Sequence, residues 1–242
     1  VMFINRFLNL RNTNSNKFFS ISEVLNYVKI SRGVLKLLCR KNIFEIVELE
    51  KSRINFEQTS TKPLNKLLDF QKLALDKIKR NFLKKNVCLL NGITSSGKTE
   101  IYIHLINEQI NAGKQVLYLL PEIALTTQII KRLKVFFGNK VTVAHSNLNN
   151  SERVEIWKNL NSKSELKNKI SIVLGARSSL FLPFKNLGLI IVDEEHDTSY
   201  KQDDGVIYNA RDMAISRASF EKIPIHLVTS IPSVETYNNI QN

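Results

Sequence analysis

Residues 92–99 read Gly-Ile-Thr-Ser-Ser-Gly-Lys-Thr, the spacing G-x-x-x-x-G-K-T. Glycine lets the backbone approach an anion closely. Successive N–H groups at the start of a following helix point at phosphates, and the helix dipole adds to their pull. Lys98 supplies a mobile positive charge for the β- and γ-phosphates and Thr99 a hydroxyl for Mg²⁺. Gly92, Thr94, Ser95, Ser96, Gly97, Lys98 and Thr99 are therefore the candidate ATP-binding residues. Further along, Asp193-Glu194-Glu195-His196 stands at the end of an apolar run. An acidic residue there is the usual partner of a phosphate-binding loop. Asp193 would hold Mg²⁺ through water, and Glu194 would orient and polarise the attacking water. Phosphoryl transfer asks mainly for such positioning and charge neutralisation. Lys98, Asp193, Glu194 and His196 form the candidate catalytic set, with Thr99 and Asp193 as the Mg²⁺ ligands.

These residues need a scaffold that brings them to one edge. An apolar run at 87–91 enters the glycine loop, and a helix pattern leaves it. Further strand patterns fall at 116–120, 141–144, 170–174, 189–193 and 225–229, with helix patterns at 125–137 and 151–160. In the second of these Ser151 reads as the cap and Trp157 as inward-facing. Near-continuous apolar strands between helices predict an α/β fold, a mostly parallel sheet covered on both faces. Ligands in such folds bind at the carboxyl ends of strands. A helix over about 66–82 precedes the first strand, with Leu68, Leu75, Ile78 and Phe82 on its apolar side. Gln71 lies on it, 21 positions before Gly92. A glutamine there reads either as a contact for an adenine edge or as a solvated side chain.

Upstream, residues 1–17 are irregular and polar and read as an N-terminal remnant. Residues 18–60 read as a winged-helix-like module and linker, and 64–242 as the ATP-binding lobe. In the module, Ser20 or Ser22 caps one helix and Ser31 a second over 32–40. Val34, Leu35, Leu37 and Leu38 point inward, while Arg32, Lys36 and Arg40 share an exposed face. Residues 43–49 read as a strand forming the wing. Two functions stand equal for it: DNA contact through the second helix, or packing and protein contact.

The chain has 35 Lys and Arg against 22 Asp and Glu, a net charge of +13, which favours a phosphate-rich partner such as nucleic acid. An Asn- and Lys-rich composition accounts for part of that surplus. No apolar run reaches the roughly 18 residues of a membrane span, and no leader pattern is present, so a soluble, cytoplasmic protein with no membrane partner is expected. Cys39 and Cys88 are the only cysteines. Their apolar contexts predict free thiols, and two cysteines cannot build a Cys₄ zinc site.

A D-E-x-H box paired with a P-loop marks the superfamily 2 helicases and translocases. Hydroxyls, Arg177 and backbone amides at the ends of the later strands suit phosphate contacts on a nucleic-acid strand. Five segments carry a more specific resemblance: GITSSGKTEIY at 92–102, PEIALTTQ at 121–128, residues 145–153, residues 175–184, and DEEHDTSYKQDDGVIYNARDMA at 193–214. On these the chain resembles the primosomal replication-restart helicases, the primosomal protein N′ (PriA) family. The likeness covers about 64–242 and extends weakly to 18–50. It implies a RecA-like P-loop helicase lobe and a DNA-dependent ATPase and 3′→5′ DNA helicase that reloads the replication machinery at stalled forks. ATP and Mg²⁺ would be its cofactors. Single-stranded or forked DNA, primosome proteins and single-strand-binding proteins would be its partners.

By the same resemblance His196 relays DNA occupancy to the ATP site. Thr126, His145, Ser146, Arg177 and Ser178 contact or couple to DNA. Residues 200–211 match an aromatic-rich loop that senses single strands, with Tyr200 and Tyr208 stacking on bases or on the loop itself. Lys201 and Arg211 add charge. The chain departs from the family at Val206, where an aromatic is common, and at Ile231, where a motif coupling hydrolysis to unwinding usually carries threonine. A second lobe with its arginine finger, a zinc-binding cysteine cluster and a module for 3′ ends are expected to lie outside these 242 residues. The isolated chain is then expected to be weakly active or inactive. Two other readings stand beside the helicase: a truncated, non-catalytic DNA- and ATP-binding remnant, and another superfamily 2 DNA translocase.

Overall fold

The computed structural model describes residues 19–46, 61–93, 96–121, 127–145, 148–161 and 170–241. The chain divides into two compact units, Val1–Lys51 and Ser52–Asn242.

In the first unit, helix α1 (Ile21–Val28) opens on a reciprocal cap. Ser20 Oγ accepts from the Glu23 N–H, and Glu23 Oε2 accepts from the Ser20 N–H at 2.8 Å. Lys29 turns the chain at φ 54° into Ser31, which caps helix α2 (Arg32–Arg40). Val24, Val28, Ile30 and Leu35 form the small core. Arg32, Lys36 and Arg40 are exposed as expected. Leu37 is not inward: it stands in solvent one residue off the stripe that Leu35 occupies. The expected wing strand is absent over residues 43–46, where Ile43 and Ile46 are exposed and no neighbouring strand supplies a hydrogen-bonding partner among the described residues; 47–49 lie outside them.

The second unit is built on six strands: β1 (Val87–Asn91), β2 (Gln115–Leu119), β3 (Val141–Ala144), β4 (Ile172–Gly175), β5 (Leu187–Val192) and, last of the set in sequence, Ile225–Thr229. A short hairpin, β6 (Lys201–Gln202) with β7 (Tyr208–Asn209), precedes that last strand, which is therefore β8. The sheet order is β1-β8-β5-β2-β4-β3, and every pairing is parallel. β2 and β5 are buried along their whole length, as strands covered on both faces must be. Alternation sorts their side chains. Val116 and Tyr118 join one core layer with Ile101, Ile106 and Leu133. Leu117 and Leu119 join the other with Leu160, Val173 and Ala214.

Helices α3 (Asp69–Phe82), α4 (Lys98–Asn111), α5 (Thr127–Phe137), α6 (Asn150–Asn161), α7 (Ala210–Glu221) and α8 (Val234–Gln241) complete the unit. α3 starts later than the periodicity predicts, and Leu68 is exposed ahead of it. The residues just ahead of α3 are docked on the unit. The Lys62 N–H donates to the Val135 carbonyl at 2.9 Å, and the Asn65 carbonyl lies 2.9 Å from His104 Nε2. α6 is capped not by Ser151 but by Asn149 and Glu152, each accepting from the other's N–H at 2.9 and 3.0 Å. That register turns Ile156 and Leu160 inward and leaves Trp157 exposed, contrary to expectation.

One edge results. The carboxyl ends of β1, β8, β5, β2, β4 and β3 deliver the segments after Asn91, Thr229, Val192, Leu119, Gly175 and Ala144 to the same side of the sheet.

Candidate active site

The glycine loop leaves β1 with its position set from β8: the Gly92 N–H donates to the Thr229 carbonyl at 3.0 Å. Gly97 caps α4 at φ 80°, a left-handed conformation that glycine adopts without penalty. A Cβ there would also collide with the Gln71 side-chain nitrogen. Gln71 is only 5% exposed, so it is not a solvated glutamine. Its Oε1 accepts from the Leu68 N–H at 2.9 Å and its Nε2 donates to the Gly97 carbonyl at 3.2 Å. One side chain thereby ties the start of α3 to the phosphate loop. The Lys98 ammonium donates to the Gly92 carbonyl and lies 3.4 Å from the Ile93 carbonyl. Ser96 and Thr99 flank this turn, while Thr94 and Ser95 lie outside the described residues.

Asp193 follows β5 directly. Its Oδ2 accepts from the Tyr118 hydroxyl at 2.8 Å and its Oδ1 from the Glu194 N–H at 3.1 Å. Burial pushes its carboxyl above the usual carboxylate range; the Tyr118 hydrogen bond and the Lys98 charge pull the other way, and Glu194 adds to the rise. Lys98 and Asp193 are thus near enough for one charge to act on the other. Glu194 sits at φ 46°, a strained conformation for a side-chain-bearing residue and one that clusters at functional sites. His196 Nδ1 lies 2.7 Å from Thr229 Oγ1, and Thr229 Oγ1 donates to the Ile231 carbonyl at 2.7 Å. The single hydroxyl proton goes to the carbonyl, which cannot donate. His196 therefore carries its proton on Nδ1 and donates to Thr229. Ile231 contributes only backbone atoms here and its side chain is exposed, so its departure from threonine leaves this link intact.

Glu195, to which the sequence assigns no role, is the most heavily bonded carboxylate among the described residues. It is 1% exposed and accepts from Arg211 Nη1 (3.2 Å), the Ser233 N–H (2.8 Å), Ser233 Oγ (3.2 Å) and Thr236 Oγ1 (2.8 Å). Ser233 also accepts from the Thr236 N–H as the cap of α8. A serine three residues before a threonine at a helix start is the one sequence signal that could have found this cluster.

The residues expected to meet DNA divide. Arg211 is buried against Glu195, Ser233 and Asp212, so it adds no exposed charge. Tyr200 is 1% exposed, and its hydroxyl donates to the Asp193 and Leu119 carbonyls at 2.6 and 3.1 Å. It has no free ring face for a base and instead props up the carboxylate turn. Tyr208 packs edge-on against Phe181, with ring centroids 5.3 Å apart. Arg177 Nη1 donates to the Lys201 carbonyl at 2.8 Å and lies 3.3 Å from the Ser199 carbonyl, fastening the hairpin base to its own turn. His145, Ser178 and Lys201 are exposed, Lys201 beside Asp203 at 3.0 Å. Val206 and Ile207 stand exposed at the hairpin tip. Thr126 and Ser146 lie outside the described residues.

The site suits ATP and Mg²⁺ on its own chemistry. A left-handed glycine opens α4, and the first N–H groups of a helix, which lack an intrahelical partner, can take an anion. Thr99 and Asp193 offer hard oxygens, the donors Mg²⁺ takes from a protein when phosphate and water complete its shell. Among the described residues no group of three or more His, Cys, Asp or Glu gathers as an all-protein cage, and no helix is long and apolar enough to cross a membrane.

The chain is similar to known proteins. Replication restart protein PriA of Rickettsia conorii is 54% identical over 153 residues, covering 63% of this chain and 23% of that protein. PriA of Bacillus subtilis is 36% identical over 225 residues, 91% of this chain and 27% of that one. The chain thus spans about a quarter of the length of the curated relatives it matches. Among solved structures, RecG bound to a three-way DNA junction superposes with a TM-score of 0.51 over 72% of this chain and 22% of its own, at 24% identity, a likeness of fold. A family model described as DEAD/DEAH box helicase matches residues 69–232, which take in both the phosphate loop and the carboxylate turn, and by that match the chain belongs to the DEAD/DEAH box helicases.

Proposed function

We propose that this chain is the first, ATP-binding motor lobe of a PriA-type 3′→5′ DNA helicase of replication restart. One observation carries the reading: the phosphate loop, the carboxylate turn and the segment after β8 meet at Thr229. Its carbonyl accepts from the Gly92 N–H and its hydroxyl oxygen accepts from His196 Nδ1. A motor needs nucleotide contacts and a movable segment joined through few residues, and Thr229 joins them by two bonds. The similarity to PriA of two organisms supports the restart role.

In this reading the amides of 97–99 and the Lys98 ammonium bind the phosphates, with Lys98 leaving the Gly92 carbonyl to do so. Thr99 and Asp193 hold Mg²⁺. Mg²⁺, when bound, neutralises charge on the β- and γ-phosphate oxygens. Glu194, fixed by its strained backbone, orients the attacking water and accepts its proton. His196 reports on the segment after Thr229. The exposed His145, Ser178 and Lys201 and the hairpin tip form the DNA-facing set.

Nucleotide binding tests the site. A fluorescent ADP analogue with Mg²⁺ is expected to bind the chain, and Lys98→Ala to weaken it by about tenfold or more, the loss of one charge-assisted contact to phosphate. Equal affinity of the two proteins would remove the loop from the reading. DNA binding has its own test. Affinity for a single-stranded oligonucleotide is expected to fall linearly on a log–log plot against salt, with a slope of about −0.7 per phosphate neutralised. A flat plot would assign the +13 surplus to composition instead.

A further inference from the structure

Three tyrosines from separate parts of the fold close around Asp193. Tyr118 comes from near the carboxyl end of β2, is fully buried, and donates its hydroxyl to Asp193 Oδ2 at 2.8 Å. Tyr200 donates to the Asp193 backbone carbonyl at 2.6 Å. Tyr102 on α4 packs edge-on against Tyr118, with ring centroids 6.1 Å apart at 89°. The Tyr102 hydroxyl is also buried but has no hydrogen-bond partner among the described residues.

We infer that Tyr118 is a positioning residue for the Mg²⁺ carboxylate, its phenol setting the plane in which Asp193 presents its free lone pairs. The inference deepens the proposed ATP site and rests on Asp193 serving the metal there. A carboxylate end group turns within a broad torsional well. Here it is held at both oxygens: Oδ2 by Tyr118 and Oδ1 by the Glu194 N–H at 3.1 Å. The Glu194 donor belongs to the next residue and moves with the turn. Tyr118 does not, because β2 is buried throughout and hydrogen-bonded to β4 and β5. Of the two donors, Tyr118 alone therefore ties the carboxylate to the sheet rather than to its own loop. Each oxygen keeps a lone pair for the metal or its water. Partners that orient metal-binding carboxylates in this way are typically worth about 10–100-fold in metal affinity.

The test uses the full chain and a fluorescent ADP analogue, titrated with Mg²⁺ and again with EDTA. The quantity read is the ratio of the two affinities. Tyr118→Phe, which keeps the ring and its packing, is expected to lower the Mg²⁺-dependent ratio about tenfold and to leave the EDTA affinity as it was. A purely structural role for the phenol would move both affinities together. Tyr102→Phe is the control: it removes a hydroxyl with no described partner and is expected to leave the ratio unchanged. A Tyr118→Phe ratio equal to that of the unaltered chain, or an equal loss in Tyr102→Phe, would overturn the inference. If the unaltered chain binds equally with and without Mg²⁺, the metal role of Asp193 fails and the inference with it. If it binds no nucleotide at all, the proposed site itself fails.

Discussion

Arg211→Met is expected to destabilise the second unit by about 3–5 kcal/mol, the usual cost of stranding one partner of a buried ion pair. For a unit of this size that lowers the melting temperature by roughly 10 °C. Glu195 would be left 1% exposed with its negative charge uncompensated. The Ser233 N–H, Ser233 Oγ and Thr236 Oγ1 would still donate to it, but neutral donors do not replace a guanidinium. The companion variant separates charge from packing. Adding Glu195→Gln to Arg211→Met removes the stranded charge and keeps an acceptor for Ser233, so a large part of the loss is expected to return. A double variant as unstable as the single would mean that the Arg211 stem, not its charge, is what the core needs. Thermal and urea unfolding of the three proteins decide between these outcomes.

The second large effect is acid lability centred on His226. This residue lies on β8 with no exposure, opposite Cys88 in the strand register and edge-on to the rings of Phe82 and Tyr102. Burial pushes its pKa down to about 4 from an ordinary 6.5. Because the folded pKa lies below the unfolded one, the unfolded chain binds the extra proton first as pH falls. Stability is then full above about 6.5 and is lost on descending towards 4, by about 3 kcal/mol in total. His226→Phe is expected to flatten that limb of the stability–pH curve. Asp193 works in the opposite sense. Its raised pKa means that the native state takes up its proton before the unfolded chain does, so protonating it adds stability on the same descent. An unchanged acid limb in His226→Phe would place the lability elsewhere.

The sequence made the chemistry legible where adjacent residues carry it. The glycine loop, the carboxylate turn and the six strands follow from local spacing and apolar runs, and they lie where periodicity puts them to within two or three residues at an end. What stayed hidden depends on strand order. Tyr118 reaches Asp193 across 75 positions, and Glu195 reaches Thr236 across 41. No periodicity says that β2 lies beside β5 or that β8 lies between β5 and β1. Burial was hidden too. The family resemblance places Tyr200 and Arg211 in a loop that senses single strands, but one supports the carboxylate turn and the other pairs with a buried glutamate. A helix capped at Ser151 puts Trp157 inward, whereas the cap at Asn149 and Glu152 sets a register that exposes it.

The strand order also bears on how the site comes into being during synthesis. β5, β2, β4 and β3 are neighbours in one continuous block, and all four have left the ribosome once residue 192 has emerged. β1 precedes them all in the chain but pairs with none of them in the sheet. Among the described residues its only sheet partner is β8, which ends at Thr229. The phosphate loop, made early, is therefore held on its helix side, where α4 packs Ile101 and Tyr102 against β2 and β5, but on its strand side only once the last strand arrives to bridge the gap. Affinity for nucleotide would then appear late and abruptly along a series of nascent chains, only once Ile225–Thr229 is free to pair, and not with the emergence of the glycine loop itself.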